Sequence, residues 1–329
     1  MSRVVRFYEL GDPDVLRIEE IPDRPLNNDE VRIKVEAIGV NRADSMFRTG
    51  IYLETTELPA RLGTEGAGVI QEIGTDVEGI EVGERVGTIP LFSMNVNGLY
   101  GESAVVPARA VVRTPNHISV AESAAIWTQY LTAWGALIQH GKIQAGQHVL
   151  ITAASSSVGL AAIQLSKLLG AIPIAVTRQT AKKQRLVDAG ADHVVSTDES
   201  SLEQAVLDIT NGRGADLIFD PVAGNFLNTL AACAAQGGQI IEYGWLSLEP
   251  TPFPLFPSFQ KGLSVRGYTI YEFLADSSLL SRAVEEISKK VETGQLRPII
   301  DRVFGLEQVT EAHRHLESNN QIGKIVITV

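Results

Sequence analysis

Cysteine is nearly absent. Cys233 stands alone among 329 residues, so an intramolecular disulfide is impossible and a cysteine-built metal site lacks its ligands. The expected compartment is a reducing one, the cytoplasm. No run of about 18 apolar residues occurs, which leaves no candidate for a membrane-spanning helix. The opening stretch MSRVVRFYELGDPDV has no apolar centre followed by a small-residue cleavage site, so no signal peptide is expected. Positive charge is also scarce: 28 Lys and Arg against 39 Asp and Glu leave a formal net charge of −11. Such a chain gains little from the counterion release that drives nucleic-acid binding, and an anionic lipid surface repels it. Nucleic acid and membrane are therefore not expected partners.

What is present is enough apolar residue, 44%, for full globular cores. At roughly 100–200 residues per domain the length predicts two of them. Up to about residue 120 the chain is rich in short strand-like runs, at 4–10, 30–40, 66–74 and 84–89, with Gly, Pro and Asp between them and no long helical period. An all-β partial barrel is the expectation. From residue 122 the pattern becomes an alternation. Helices are expected over 122–139, 158–170, 180–190, near 202–210, near 226–234 and over 277–294, and strands over 148–154, 172–177, 193–196, 216–222, 239–244 and 323–329. Strand–helix alternation with short links predicts a parallel, doubly wound sheet. The segment 251–262, with three prolines, reads as an irregular connection. The last strand is too apolar for a solvated tail and is expected to return to the first domain. The predicted division is 1–121 with 270–329, and 122–269.

The stretch VLITAASSSVGLAAIQLSKLLGA is the most informative. A strand runs into a turn of small residues and then a helix, the arrangement that brings backbone N–H groups and a helix N-terminus to a pyrophosphate. A strict G-x-G-x-x-G is missing. Ala154, Ser156 and Gly159 hold its places, so the motif alone is weak. The end of the next strand bears on the cofactor. An acid about 20 residues on holds the ribose diol of NAD. Here Thr177 and Arg178 stand there, with Lys182 following. A guanidinium is suited to bidentate phosphate recognition, which favours NADPH.

With these residues in view, the chain resembles the medium-chain dehydrogenase/reductase superfamily, specifically its zinc-free quinone oxidoreductase branch. The resemblance runs the whole length and rests on GVNRADSMFRTGIY (39–52), LGTEGAGVIQEIG (62–74), VGERVG (82–87), AASSSVGLAAIQLSKLLGA (153–171), GADHVV (190–195) and GKIVITV (323–329). It implies an α/β chain with a GroES-like partial β-barrel catalytic domain and a Rossmann doubly wound parallel sheet. It implies catalytic roles for Asn41, Asp44 and Tyr52. Cofactor contacts are implied at Thr128, at Ser155, Ser156, Ser157, Val158 and Gly159, at Thr177, Arg178 and Lys182, and at Val222, Tyr243, Gly244, Gly267, Tyr268 and Lys324. Trp245 stands where it either narrows the pocket or fills a core. Zinc-dependent relatives carry Cys-x-x-Asp where this chain has Asn41-Arg42-Ala43-Asp44, and Gly-His-Glu where it has Gly63-Thr64-Glu65. No metal is expected, because zinc wants about four N, S or O ligands. His313 and His315 lie two apart on a predicted helix and are expected at the surface.

Without a Lewis acid, hydride transfer to a quinone or an α,β-unsaturated carbonyl compound is the expected chemistry, since conjugation spreads the developing charge. An enoyl-thioester reductase and a catalytically silent NADPH-binding protein stay open beside it. A short-chain dehydrogenase does not: none of the seven tyrosines has a lysine four residues later. The family resemblance adds a homodimer.

Overall fold

The computed structural model describes residues 1–329, which form two compact units: Met1–Thr128 with Pro298–Val329, and Gln129–Arg297. In the first unit β1 (Ser2–Arg6) and β2 (Arg17–Ile21) form an antiparallel pair. The long strand β3 (Glu30–Val40) is the spine of a larger sheet. Its run of Val and Ile is buried on both faces, which is why it does not alternate. One edge of β3 pairs with β4 (Gly66–Ile73), which continues through β5 (Arg85–Thr88) to β7 (Val111–Arg113). At its other edge residues 30–34 pair with β6 (Ser103–Pro107).

The second unit is a six-stranded, all-parallel sheet. Its strands are β8 (His148–Ile151), β9 (Ile172–Thr177), β10 (His193–Ser196), β11 (Ala215–Asp220), β12 (Ala234–Glu242) and β13 (Ser264–Gly267), in the spatial order β10-β9-β8-β11-β12-β13. The order reverses between β8 and β11, the topological switch point at which such sheets bind ligands, beyond the carboxyl ends of the strands. Leu150, Ile174, Ile218 and Ile240 from four adjacent strands, with Leu227 and Leu230 from the helix Phe226–Cys233, form its core.

The chain then returns to the first unit with β14 (Ile300–Gly305) and β15 (Lys324–Thr328). β15 pairs antiparallel with residues 37–40 of β3, beside β6 on the same edge. The expectation that the terminal strand closes the first unit is met, and with it the α/β class: a partial barrel plus a doubly wound parallel sheet.

Several expected details differ. The division between units falls later than predicted at both places. Residues 122–128 belong to the first unit, where Ala124 and Ala125 pack on Ala37, Ala67 and Val326. Residues 270–297 belong to the second, where the helix Ser277–Glu292 is anchored by Glu286 accepting from Trp134 Nε1 at 2.8 Å and by Arg282 lying 4.8 Å over the Trp134 ring. For the same reason the helix expected over 122–139 is divided into Val120–Ser123, Trp127–Trp134 and a π-helical turn Gly135–His140. The run VVRFYEL is a strand only to Arg6. The proline-rich 251–262 contains a helix, Leu255–Lys261. Its internal proline, Pro257, sits in the first turn, where a backbone N–H has no intrahelical partner to lose.

The two histidines also depart from expectation. His315 is partly buried and its Nε2 lies 2.7 Å from Asp301. His313 is fully buried, with its ring edge-on to Tyr100 at 5.7 Å. The cause is spacing: Val309, Ala312, His313 and Leu316 form the buried stripe of the helix Val309–Glu317. Neither ring nitrogen of His313 has a hydrogen-bond partner. Burial, reinforced by the nearby Arg48 and Arg42, pushes the imidazole down to about 3. The unfolded chain takes up a proton near pH 6.5 and the folded chain does not, so stability is intact above that value and is lost as pH falls toward 3. At pH 5 the loss is about 2 kcal/mol, at 1.36 kcal/mol per pH unit. Thermal unfolding of wild type and His313→Leu at pH 7.5 and pH 5 checks this. The variant should lose less of its midpoint on acidification, and equal losses would rule the effect out.

Candidate functional site

In the second unit the strand–turn–helix has the geometry of an anion cradle. The helix Ser157–Leu168 begins at Ser156, whose Oγ accepts from Gly159 N at 3.0 Å. Ala153 takes a left-handed φ of 43° to make the turn. A Cβ on Gly159 would lie 2.7 Å from Ala154 Cα, so the glycine lets the helix close onto the turn. The other first-turn N–H groups, at Ser157 and Val158, have no intrahelical acceptor and carry the positive end of the helix dipole.

The structure brings Lys182 and Tyr243 to this turn, and the other expected residues of this unit stand at or after the ends of β9, β11, β12 and β13. Lys182 is buried and donates from Nζ to Ser155 Oγ at 3.1 Å. Tyr243 is half-buried, stacks on Phe219 with ring centroids 3.9 Å apart, and hydrogen-bonds Ser156. Burial pushes its phenol well above the usual range. Thr177 Oγ1 accepts from Gln179 N at 3.2 Å at the end of β9, and Arg178 beside it is exposed. Val222 N donates to Asp220 Oδ2 at 2.9 Å. Gly244 packs so closely on Pro221 that a Cβ would meet it at 2.9 Å, whereas Gly267 faces open space. Tyr268 is buried with its hydroxyl unpartnered, its ring 5.4 Å from His140. Trp245 is neither core nor fully solvated: it is partly exposed and its Nε1 donates to Glu249 O at 2.7 Å.

In the first unit a separate cluster gathers Asn41, Asp44 and Lys324 around Glu65. Asn41 caps the helix Arg42–Arg48, and its backbone N donates to Asp44 Oδ2 at 2.8 Å. Tyr100 OH donates to the same oxygen at 3.1 Å. Burial pushes the Asp44 carboxyl up to about 7. Glu65 Oε1 accepts from Thr128 N at 3.0 Å, and Oε2 accepts from Asn41 Nδ2 at 3.0 Å and from Lys324 Nζ. Lys324 Nζ also donates to Asn41 Oδ1 at 2.6 Å. Lys324, expected at the cofactor, is thus fully buried with its ammonium on two side chains of its own unit. Asp44, expected to be catalytic, is fully buried and occupied in capping. Tyr52 is partly buried against the first unit's core.

In the sequence Glu65 stands out only as the last residue of Gly63-Thr64-Glu65. Its central place depends on a partner 259 residues away, a pairing that local pattern does not reveal. The same cluster tests zinc. Asn41 and Thr64 offer no thiolate or imidazole, both Glu65 oxygens are taken, and a fixed ammonium stands among them. No group of three or more His, Cys, Asp or Glu is placed to hold a metal ion. These residues do not fit zinc.

Comparison with known proteins agrees with this architecture. Residues 27–116 match the alcohol dehydrogenase GroES-like domain family, and residues 189–327 match the zinc-binding dehydrogenase family. A quinone oxidoreductase of Pongo abelii is 30% identical over 333 residues, covering 99% of this chain and 98% of that protein. The Escherichia coli quinone oxidoreductase complexed with NADPH superposes with a TM-score of 0.91 at 26% identity, covering 99% of this chain and 100% of the other. An NAD-dependent alcohol dehydrogenase superposes with a TM-score of 0.90 at 30% identity, with 99% of each chain covered. On the whole-length likeness in sequence and fold, this chain belongs to the quinone oxidoreductase branch of the medium-chain dehydrogenase/reductase superfamily.

Proposed function

We propose that the chain is an NADPH-dependent reductase that delivers hydride to a quinone or an α,β-unsaturated carbonyl compound without zinc. The observation that carries this reading is the hydroxyl and basic set at the end of β9: Thr177, exposed Arg178, and Lys182 bonded to Ser155 of the phosphate turn. Ser155 to Gly159 would hold the pyrophosphate, and Arg178 with Lys182 the 2′-phosphate. Val222, Tyr243, Gly244, Gly267 and Tyr268 would flank the nicotinamide half. When bound, NADPH supplies the hydride. The chain's part is to orient the acceptor and to stabilise charge on its oxygen as the enolate or phenolate forms. Tyr52 supplies a hydroxyl donor for that oxygen. Asn41 and Asp44 act by fixing the helix Arg42–Arg48, and Lys324 by fixing Asn41. NADPH bound to the Escherichia coli relative supports the cofactor class.

A homodimer in the cytoplasm completes the proposal. Strand β13 ends the parallel sheet, and the segment after β12 exposes Leu248, Phe253, Phe256 and Phe259, an apolar face that a second copy would cover.

A steady-state screen tests the function. NADPH and NADH are each offered with quinones, enones, enoyl thioesters and simple primary alcohols, with and without a chelator. Quinone or enone reduction by NADPH should dominate and survive chelation. Faster turnover of simple alcohols, or activity abolished by the chelator, would defeat the proposal, and preference for an enoyl thioester would reassign the substrate.

A further inference from the structure

Two carboxyl groups meet at the carboxyl edge of the parallel sheet, and the reading above uses neither. Asp220 ends β11 and Glu242 ends β12, and the two are register partners on adjacent parallel strands. As register partners they point to the same face of the sheet, and both Glu242 oxygens are buried there without a donor. Two buried carboxylates side by side with no cation between them do not both stay ionised, so the pair holds one proton. The other bonds of Asp220 say which group holds it. Its Oδ2 accepts from Val222 N at 2.9 Å and Ala223 N at 2.7 Å, and its Oδ1 accepts from Thr152 Oγ1. Asp220 is therefore the acceptor-only carboxylate, and Glu242, whose oxygens are buried and reached by no other donor, carries the proton.

This pair ties the strand ends together. Thr152 follows β8, so its bond to Asp220 spans the switch point. The two N–H groups on Asp220 hold the turn in which Ala223 and Gly224 take left-handed φ values of 59° and 61°. That turn in turn accepts from Leu246 N and Ser247 N at Pro221 O and Val222 O, at 2.9 and 3.0 Å. Tyr243, next to Glu242, reaches Ser156 at the helix N-terminus.

We propose that Glu242 is a positioning residue for the cofactor: as a neutral acid donating to Asp220, it holds the 221–224 turn, the chain after β12 and the Ser156 turn in one arrangement. The inference rests on the NADPH reading. The surroundings offer no cation to offset a second negative charge. From β13 the register partner is Gly267, without a side chain, and neighbouring Arg266 is engaged with Glu272 and His140. From β8 the neighbour is the hydroxyl of Thr152, and Asp220 is the charged group that acts on Glu242. Burial and Asp220 together push the Glu242 carboxyl up to about 9.

Two measurements on the full chain, wild type against Glu242→Gln, test this. The glutamine amide still donates to Asp220 but cannot ionise. The first is thermal unfolding without cofactor. The folded chain keeps its proton from about pH 4.5 up to about 9 and the unfolded chain does not, so wild type should lose stability relative to the variant as pH rises through that window. The second is the NADPH dissociation constant by fluorescence. Both proteins should bind alike at pH 7, and above pH 9 wild type should weaken roughly tenfold or more while Glu242→Gln holds, since each pH unit beyond the pKa costs up to tenfold. Superimposable profiles in both measurements would overturn the proposal. A stability difference with flat NADPH binding would leave the shared proton standing and overturn its link to the cofactor. No NADPH binding by wild type at pH 7 would instead overturn the cofactor reading itself and this positioning role with it.

Discussion

Replacing Lys324 with methionine should lower the stability of the first unit by about 3–5 kcal/mol, the usual cost of removing one partner from a buried ion pair. Lys324 and Glu65 are both fully buried, and the ammonium bonds Glu65 and Asn41. Methionine fills the space of the lysine stem and leaves the Glu65 carboxylate with only Asn41 Nδ2 and Thr128 N as donors. The fall in melting midpoint should be on the order of 10 °C, at roughly 2–4 °C per kcal/mol for a unit of this size. Adding Glu65→Gln should recover much of the loss, because the second substitution removes the stranded charge and keeps side-chain acceptor and donor groups at the site. A double-mutant cycle by thermal unfolding measures the coupling. A Lys324→Met midpoint within about 2 °C of wild type would show that the pair contributes little net stability, the outcome met when desolvation cancels attraction. The cluster also packs tightly around its backbone. A Cβ on Gly39 would lie 1.9 Å from Ala124 O and 2.8 Å from Lys324 Cε, so the lysine stem has one course to follow.

Most of the fold was legible because its signals are local. The β-branched run of β3, the small-residue turn before the helix Ser157–Leu168, and the glycines closing successive helices each act within a few residues. The strand–turn–helix geometry of the candidate anion cradle was legible for the same reason. What was illegible depends on residues far apart in the chain. The helix expected over 122–139 has a good helical pattern throughout, but Ala124 and Ala125 are claimed by strands of the first unit while Trp134 is claimed by Glu286 and Arg282 of the second. Glu242 looked like an ordinary strand residue until β11 placed Asp220 beside it. His313 is a different case. The apolar spacing of Val309, Ala312 and Leu316 was in the sequence, and following it places the imidazole in the core whatever the general preference of histidine.

Arg178→Ala should weaken NADPH binding by about 10- to 100-fold and leave NADH binding little changed. Arg178 is exposed at the end of β9, where an NAD-binding chain carries an acid for the ribose diol. A charge-assisted hydrogen bond contributes roughly 1.5–3 kcal/mol, and each 1.4 kcal/mol is about tenfold in affinity. NADH has no 2′-phosphate, so the same substitution removes nothing from it. Arg178→Lys should fall between, keeping the charge and losing the planar fork. Lys182 stands close by but is buried on Ser155, so Lys182→Ala added to Arg178→Ala should extend the NADPH loss further and cost NADH less. The salt dependence gives an independent check. An exposed guanidinium on a phosphate is screened over about 10 Å at 0.1 M salt, so the wild-type advantage for NADPH should shrink as salt rises and the variant's should not. Dissociation constants for both cofactors, for each protein at two salt concentrations, settle the matter. Equal losses for NADPH and NADH would show that Arg178 supports the loop or the adenine, and a wild-type preference for NADH would move the cofactor assignment to NAD.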